Sequence, residues 1–69
     1  MEELKKQRLQ KKYSFNDMAK LLNISKTYYW QLEHNQRRIS YDMAFKIAAL
    51  FDKKPDDLFY QEYLDNKKE

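Results

Sequence analysis

Three residues, Asn23-Ile24-Ser25, are all that separate two amphipathic runs, and a connection this short limits the fold more than any other feature of the chain. Ser14 is placed to cap the first run, about Phe15 to Leu22, in which Phe15, Met18 and Leu22 form an inward stripe with the small Ala19 beside it. Ser25 is placed to cap the second run, about Lys26 to Glu33. Both starts carry a hydrophobic staple pattern, Tyr13 with Met18 and Ile24 with Tyr29. Asn23 stands where the chain needs a left-handed residue, a role that passes to Asn in a sequence containing no glycine. The spacing therefore predicts two short helices joined by a tight turn, with Ala19 allowing close approach.

The second run has two unlike faces. At i+3 and i+4 spacing Tyr29, Leu32 and Glu33 share one side, while Lys26, Thr27, Trp30 and Gln31 fall on the other. An ordinary solvated face would carry Glu, Lys and Ala. This one offers a cation, a methyl with a hydroxyl, an indole and an amide, a set suited to base edges in a DNA major groove. A helix, a three-residue turn and a second helix with a polar outer face is also the layout of a helix-turn-helix DNA-binding unit.

The remaining composition narrows the alternatives. With 69 residues the chain forms one domain, and a domain of this size buries only about 60% of its unfolded surface. There is no cysteine, hence no disulfide framework or thiolate site, and the single His34 cannot assemble a metal site alone. No apolar run approaches a membrane span, and the basic start (Lys5, Lys6, Arg8, Lys11, Lys12) is not followed by an export-type apolar region, so a cytoplasmic location is expected. No nucleophile with its base, glycine-rich phosphate loop or metal cluster is recognisable, which argues against an enzyme and against a cofactor. The net charge of +3 is unevenly spread: residues 1–12 and 20–46 each carry five cations against two anions, whereas residues 52–69 carry four against six. A basic body suits a polyanionic partner, and a solvated charged surface is the plainer explanation of the same pattern.

Around the central pair, Glu2 to Lys12 reads as a first helix, with Leu4, Arg8 and Leu9 along one side and Lys11 and Lys12 at its end. His34 to Arg38 reads as a loop. Ile39 and Ser40 open a strongly amphipathic fourth helix with Met43, Ile47 and Phe51 at i+4, closed by Asp52. Pro55 suits the first position of a fifth helix, whose Asp56 and Asp57 complement its dipole and whose Leu58 and Phe59 dock on the core. The expected division is a domain over residues 1–59 and an acidic tail over 60–69, in which Tyr60, Tyr63 and Leu64 offer a dimer contact or simply a frayed, solvated end.

From Leu4 to Phe59 the order of residues resembles the phage-repressor and Cro-like helix-turn-helix family of bacterial transcription regulators. The resemblance rests on Arg8, on Ser14, Met18, Ala19 and Leu22, on Ile24-Ser25, on Leu32-Glu33, on Arg37, on Ser40, Ile47 and Ala48, and on Asp56-Asp57-Leu58-Phe59, in register without an insertion. It implies an all-α, compact five-helix domain like that of lambda repressor, with the third helix as recognition helix. It also implies a buried ion pair between Arg8 and Glu33, which would account for an arginine on an apolar stripe. Three departures concern backbone: Asn23, Asn35 and Asp52 stand where the family favours glycine. A fourth is Phe15, where the family often has a glutamine that meets DNA backbone and recognition helix; a buried or partly buried ring is expected instead. Lys54 is a poor cap for the fifth helix, which is expected to start loosely.

Carried onto this chain, the resemblance places Lys26, Thr27 and Gln31 at base-reading positions, with Lys26 suited to guanine, Gln31 to adenine and the Thr27 methyl to thymine. Trp30 joins this base-contacting set as the residue of unusual size. Ser25, Tyr28, Asn35, Gln36, Arg37 and Arg38 are the candidates for DNA backbone contacts, although Tyr28 equally suits partial burial and the two arginines a solvated pair. His34 is read as a loop residue near the DNA backbone. The expected function is a sequence-specific regulator, a repressor acting as a homodimer on a two-fold operator in double-stranded DNA, with no small-molecule ligand and no second domain evident. The competing reading is a protein-interaction module on the same fold, an antitoxin or a regulator's partner, using Tyr28, Trp30 and Tyr41.

Overall fold

The computed structural model describes residues 1–60, so the expected acidic tail beyond Tyr60, with Tyr63 and Leu64, lies outside the described residues. The chain runs α1 (Glu2–Gln10), α2 (Phe15–Leu22), α3 (Lys26–Glu33) and α4 (Tyr41–Leu50), followed by a fifth helical stretch, α5, over residues 55–60. No strand occurs among the described residues, and the architecture is the expected all-α, five-helix one.

Both expected serine caps are made, and Ser40, read with Ile39 as opening the fourth helix, proves to be the cap of a helix that starts at Tyr41. Ser14 Oγ accepts from Asp17 N at 3.0 Å while Asp17 Oδ2 accepts from Ser14 N at 2.9 Å, a complete capping box. Ser25 Oγ accepts from Tyr28 N at 3.0 Å and Ser40 Oγ from Met43 N at 3.1 Å. α5 starts more firmly than Lys54 suggests, because Asp57 Oδ2 reaches back to accept from Lys54 N at 3.0 Å. Half a capping box thus compensates for a side chain that cannot cap.

The helix ends are more uniform than the starts. Lys12, Asn23, Asn35 and Asp52 all take a left-handed conformation, with φ of 60°, 57°, 60° and 55°. In each case the next residue donates back across six residues: Tyr13 N to Arg8 O (3.1 Å), Ile24 N to Ala19 O (2.9 Å), Gln36 N to Gln31 O (2.7 Å) and Lys53 N to Ala48 O (3.0 Å). These are four Schellman endings built without glycine. Asn and Asp tolerate the conformation through their short polar side chains, whereas Lys12 bears its steric cost of about 1 kcal/mol uncompensated. The expectation of a first helix reaching Lys12 is corrected accordingly: α1 stops at Gln10, and Lys12 turns the chain toward α2.

The core comprises Leu4, Met18, Leu22, Tyr29, Ile47, Ala48, Phe51 and Leu58, with Tyr13, Phe15, Ile24, Ile39, Met43, Leu50 and Phe59 packed around it. Leu32 and Ala19 are buried as well, and α2 against α3 is the principal helix–helix contact among the described residues. Leu9 is another correction, since it is 53% exposed. One position past Arg8 carries a side chain about 100° around the helix, off the Leu4–Arg8 line that faces inward.

Candidate nucleic-acid interface

α3 is held from beneath by an ion pair. Arg8 Nε donates to Glu33 Oε2 at 2.9 Å and Arg8 Nη2 to Glu33 Oε1 at 3.1 Å, so the guanidinium and carboxylate meet in a two-bond fork. Both residues are buried, at 7% and 4% exposure. The remaining nitrogen, Nη1, donates to the Tyr13 carbonyl at 2.9 Å, which joins α1, the α1–α2 connection and the end of α3 through one side chain. The backbone nitrogen of Met1 adds a bond to the Glu33 carbonyl at 3.2 Å.

Phe15 closes this arrangement over. Its half-buried ring lies 4.4 Å from the Arg8 guanidinium carbon and 6.2 Å from the Tyr29 ring. A phenyl face over a guanidinium is attractive and also excludes water from the ion pair. Tyr29 lies wholly inside, with its hydroxyl near the Glu33 carboxylate yet in no hydrogen bond of good geometry. Burial, and secondarily the adjacent Glu33, push the Tyr29 phenol well above its ordinary range.

The opposite side of α3 faces solvent. Lys26, Thr27 and Trp30 are exposed, and Gln31 and Tyr28, three residues apart, are half-buried on the border between the two faces. α3 has no acidic residue in its first turn, whereas α1, α2 and α4 carry Glu2 and Glu3, Asp17, and Asp42 there. Lys26 occupies that turn instead. The positive end of the α3 dipole is therefore left open to an external anion. Ser25 spends an acceptor site on its cap, and its hydroxyl hydrogen stays available to donate.

Two contacts on this face were not foreseen from sequence. The Trp30 and His34 rings stack with centroids 4.1 Å apart and planes 15° from parallel, and His34 Nδ1 lies 2.8 Å from the Trp30 carbonyl oxygen. His34 thus stands just past α3, as expected of a loop residue, but closes the helix, with its ring fixed on it and 6.1 Å from Phe15. Their i+4 spacing was the available clue. Likewise, the loop brings the Arg37 guanidinium to 5.2 Å above the Tyr28 ring, so that this exposed cation lies against the first turn of α3. Asn35, Gln36 and Arg38 are exposed along the same loop.

A family model for Cro/C1-type helix-turn-helix proteins matches residues 4–58, from α1 into α5. The chain belongs to that helix-turn-helix family. No curated protein and no solved structure gives a significant match. Membership makes the chain a DNA-binding helix-turn-helix regulator, in a family that is generally non-enzymatic. Among the described residues of this helix-turn-helix protein, no helix is long and apolar enough to cross a membrane.

Proposed function

We propose that the protein is a repressor that binds a two-fold operator as a dimer, with α3 in the major groove. Lys26, Thr27, Gln31 and Trp30 contact bases. Ser25, Tyr28, Asn35, Gln36, Arg37 and Arg38 contact the sugar-phosphate backbone. The observation that carries this reading is the asymmetry of α3: its inner side is locked by the Arg8–Glu33 fork, while its outer side presents donors and an aromatic ring beneath an uncompensated helix N-terminus.

The same geometry supports this division of labour. Lys26 and Thr27 project from the first turn, nearest the open dipole, where a Lys can meet guanine O6 and N7 and a Thr methyl can meet thymine. Gln31, half-buried at the border, has fewer orientations to lose on pairing with adenine. Trp30 is braced by His34, so its exposed indole edge is presented at low entropic cost. Arg37, held over Tyr28, is poised as a positional clamp for phosphate. Two copies bound to one face of the duplex would have recognition helices about 34–36 Å apart.

Selection of bound fragments from a random DNA pool tests the proposal. A consensus with two inverted half-sites spaced by about one helical turn is the expected result. Enrichment of a single unsymmetrical site would refute the two-fold operator, and no enrichment at low salt would refute sequence-specific binding. Lower reporter expression from a promoter carrying the consensus distinguishes a repressor from an activator.

A further inference from the structure

The outer side of α4 carries a feature that lies outside the proposed set of DNA contacts. Tyr41, Phe45 and Ala49 lie at i+4 spacing and are all exposed, Tyr41 at 74% and Phe45 at 48%. The two aromatic rings pack edge to face with centroids 4.8 Å apart and planes at 86°, forming one preorganised apolar knob in water. Asp42 and Lys46, one turn apart, flank the stripe, and among the described residues neither has an ion-pair partner.

We propose that this face of α4 is a self-association surface, packing on α4 of a second copy in antiparallel orientation. The charge order selects both occupant and direction. With the two helices antiparallel about a two-fold axis near Phe45, Asp42 of each copy lies toward Lys46 of the other, twice over. A parallel pairing would set Asp42 beside Asp42 and Lys46 beside Lys46. The apolar stripe is self-complementary in the same sense: each Tyr41 lies over the small Ala49 of the other copy, and Phe45 meets its own counterpart on the axis. One patch that satisfies itself in this way is what an isologous contact requires; the apolar stripe sets its register, and the flanking charges favour the antiparallel direction.

Sedimentation equilibrium on the full chain, without DNA, tests this independently of the operator reading. The wild-type protein should show a concentration-dependent monomer–dimer equilibrium. Phe45→Glu, at an exposed site where circular dichroism and the melting temperature should stay unchanged, should weaken association by about tenfold or more. Asp42→Lys and Lys46→Asp should each weaken it, and an equimolar mixture of those two variants should recover wild-type association, because both charge pairs are then matched. A wild-type chain that is monomeric at every concentration would overturn the proposal. So would association that survives Phe45→Glu but is lost on removing residues 61–69, which would assign the contact to the tail. A mixture no better associated than its separate components would overturn the antiparallel register.

Discussion

Glu33→Ala isolates the interaction on which the position of α3 depends. The substitution leaves the Arg8 guanidinium buried, with the Tyr13 carbonyl and the Phe15 ring but without its counter-charge. Removing one partner of a buried pair typically costs on the order of 3–5 kcal/mol. The contacts that Arg8 keeps place this case at the lower end, about 3 kcal/mol. That is a large share of the total for so small a domain, whose stability is expected at about 0.05–0.15 kcal/mol per residue. At roughly 4–8 °C per kcal/mol, the melting temperature should fall by about 12 °C or more. Urea denaturation followed by circular dichroism gives the free energy, and a thermal scan gives the shift. The companion double variant, Arg8→Met with Glu33→Leu, removes both charges and should recover most of the loss, because no group is then left buried and unpaired. A loss under about 1 kcal/mol for Glu33→Ala would show that the pair behaves as an exposed one, and the argument that it locks α3 would fail.

Three further outcomes are expected. Gln31→Ala should change the preferred operator sequence, while Arg37→Ala should weaken all sites alike and lower the salt slope of binding by about 1; the opposite pattern in competitive gel shifts would reverse the assigned roles. Lys12→Gly should raise stability by several tenths to about 1 kcal/mol, since glycine adopts the left-handed conformation at that position without the steric cost, and a destabilised variant in urea titration would show that the Lys12 side chain contributes something the backbone does not reveal. Tyr29→Phe should be neutral or slightly stabilising, because it removes a buried hydroxyl without a hydrogen bond. The raised phenol pKa also means that in the wild-type protein stability is fully present below the unfolded tyrosine value near 10 and declines as pH rises above it; the part of that decline due to Tyr29 should be absent in the Phe variant.

Much of the fold was legible because short helices declare themselves locally. Ser14, Ser25 and Ser40 cap where a serine preceding an apolar period should, and Asn23, Asn35 and Asp52 turn the chain where glycine would otherwise stand. What escaped was contextual. Lys12 has no propensity for a left-handed turn, and the geometry is imposed by the need to bring Tyr13 under Phe51, ring to ring at 6.3 Å, while its carbonyl receives Arg8. Asp57, read only as a dipole partner, also supplies the hydrogen bond that Lys54 cannot. His34 looked like a loop residue because the apolar period ends at Leu32, yet ring stacking on Trp30 extends the ordered face by another residue.

The candidate site shows why those contextual contacts matter. Phe15, Arg8, Glu33, His34 and Trp30 form a connected set: the guanidinium grips the end of α3, the phenyl ring covers the guanidinium and approaches the imidazole, and the imidazole supports the indole. A glutamine at residue 15 could do neither of the phenyl ring's two jobs, excluding water from the fork and giving His34 an apolar backing. The departure at Phe15 and the unusual Trp30 are thus two ends of one substitution in strategy, in which aromatic packing braces a large side chain on the reading face. On that argument Phe15→Gln should affect the two ends differently: it should admit water to the Arg8–Glu33 pair and lower stability, and it should also loosen Trp30, the only tryptophan of the chain, so that its fluorescence anisotropy decays faster. A variant with lowered stability but an unaltered Trp30 signal would separate the two ends and confine Phe15 to the ion pair.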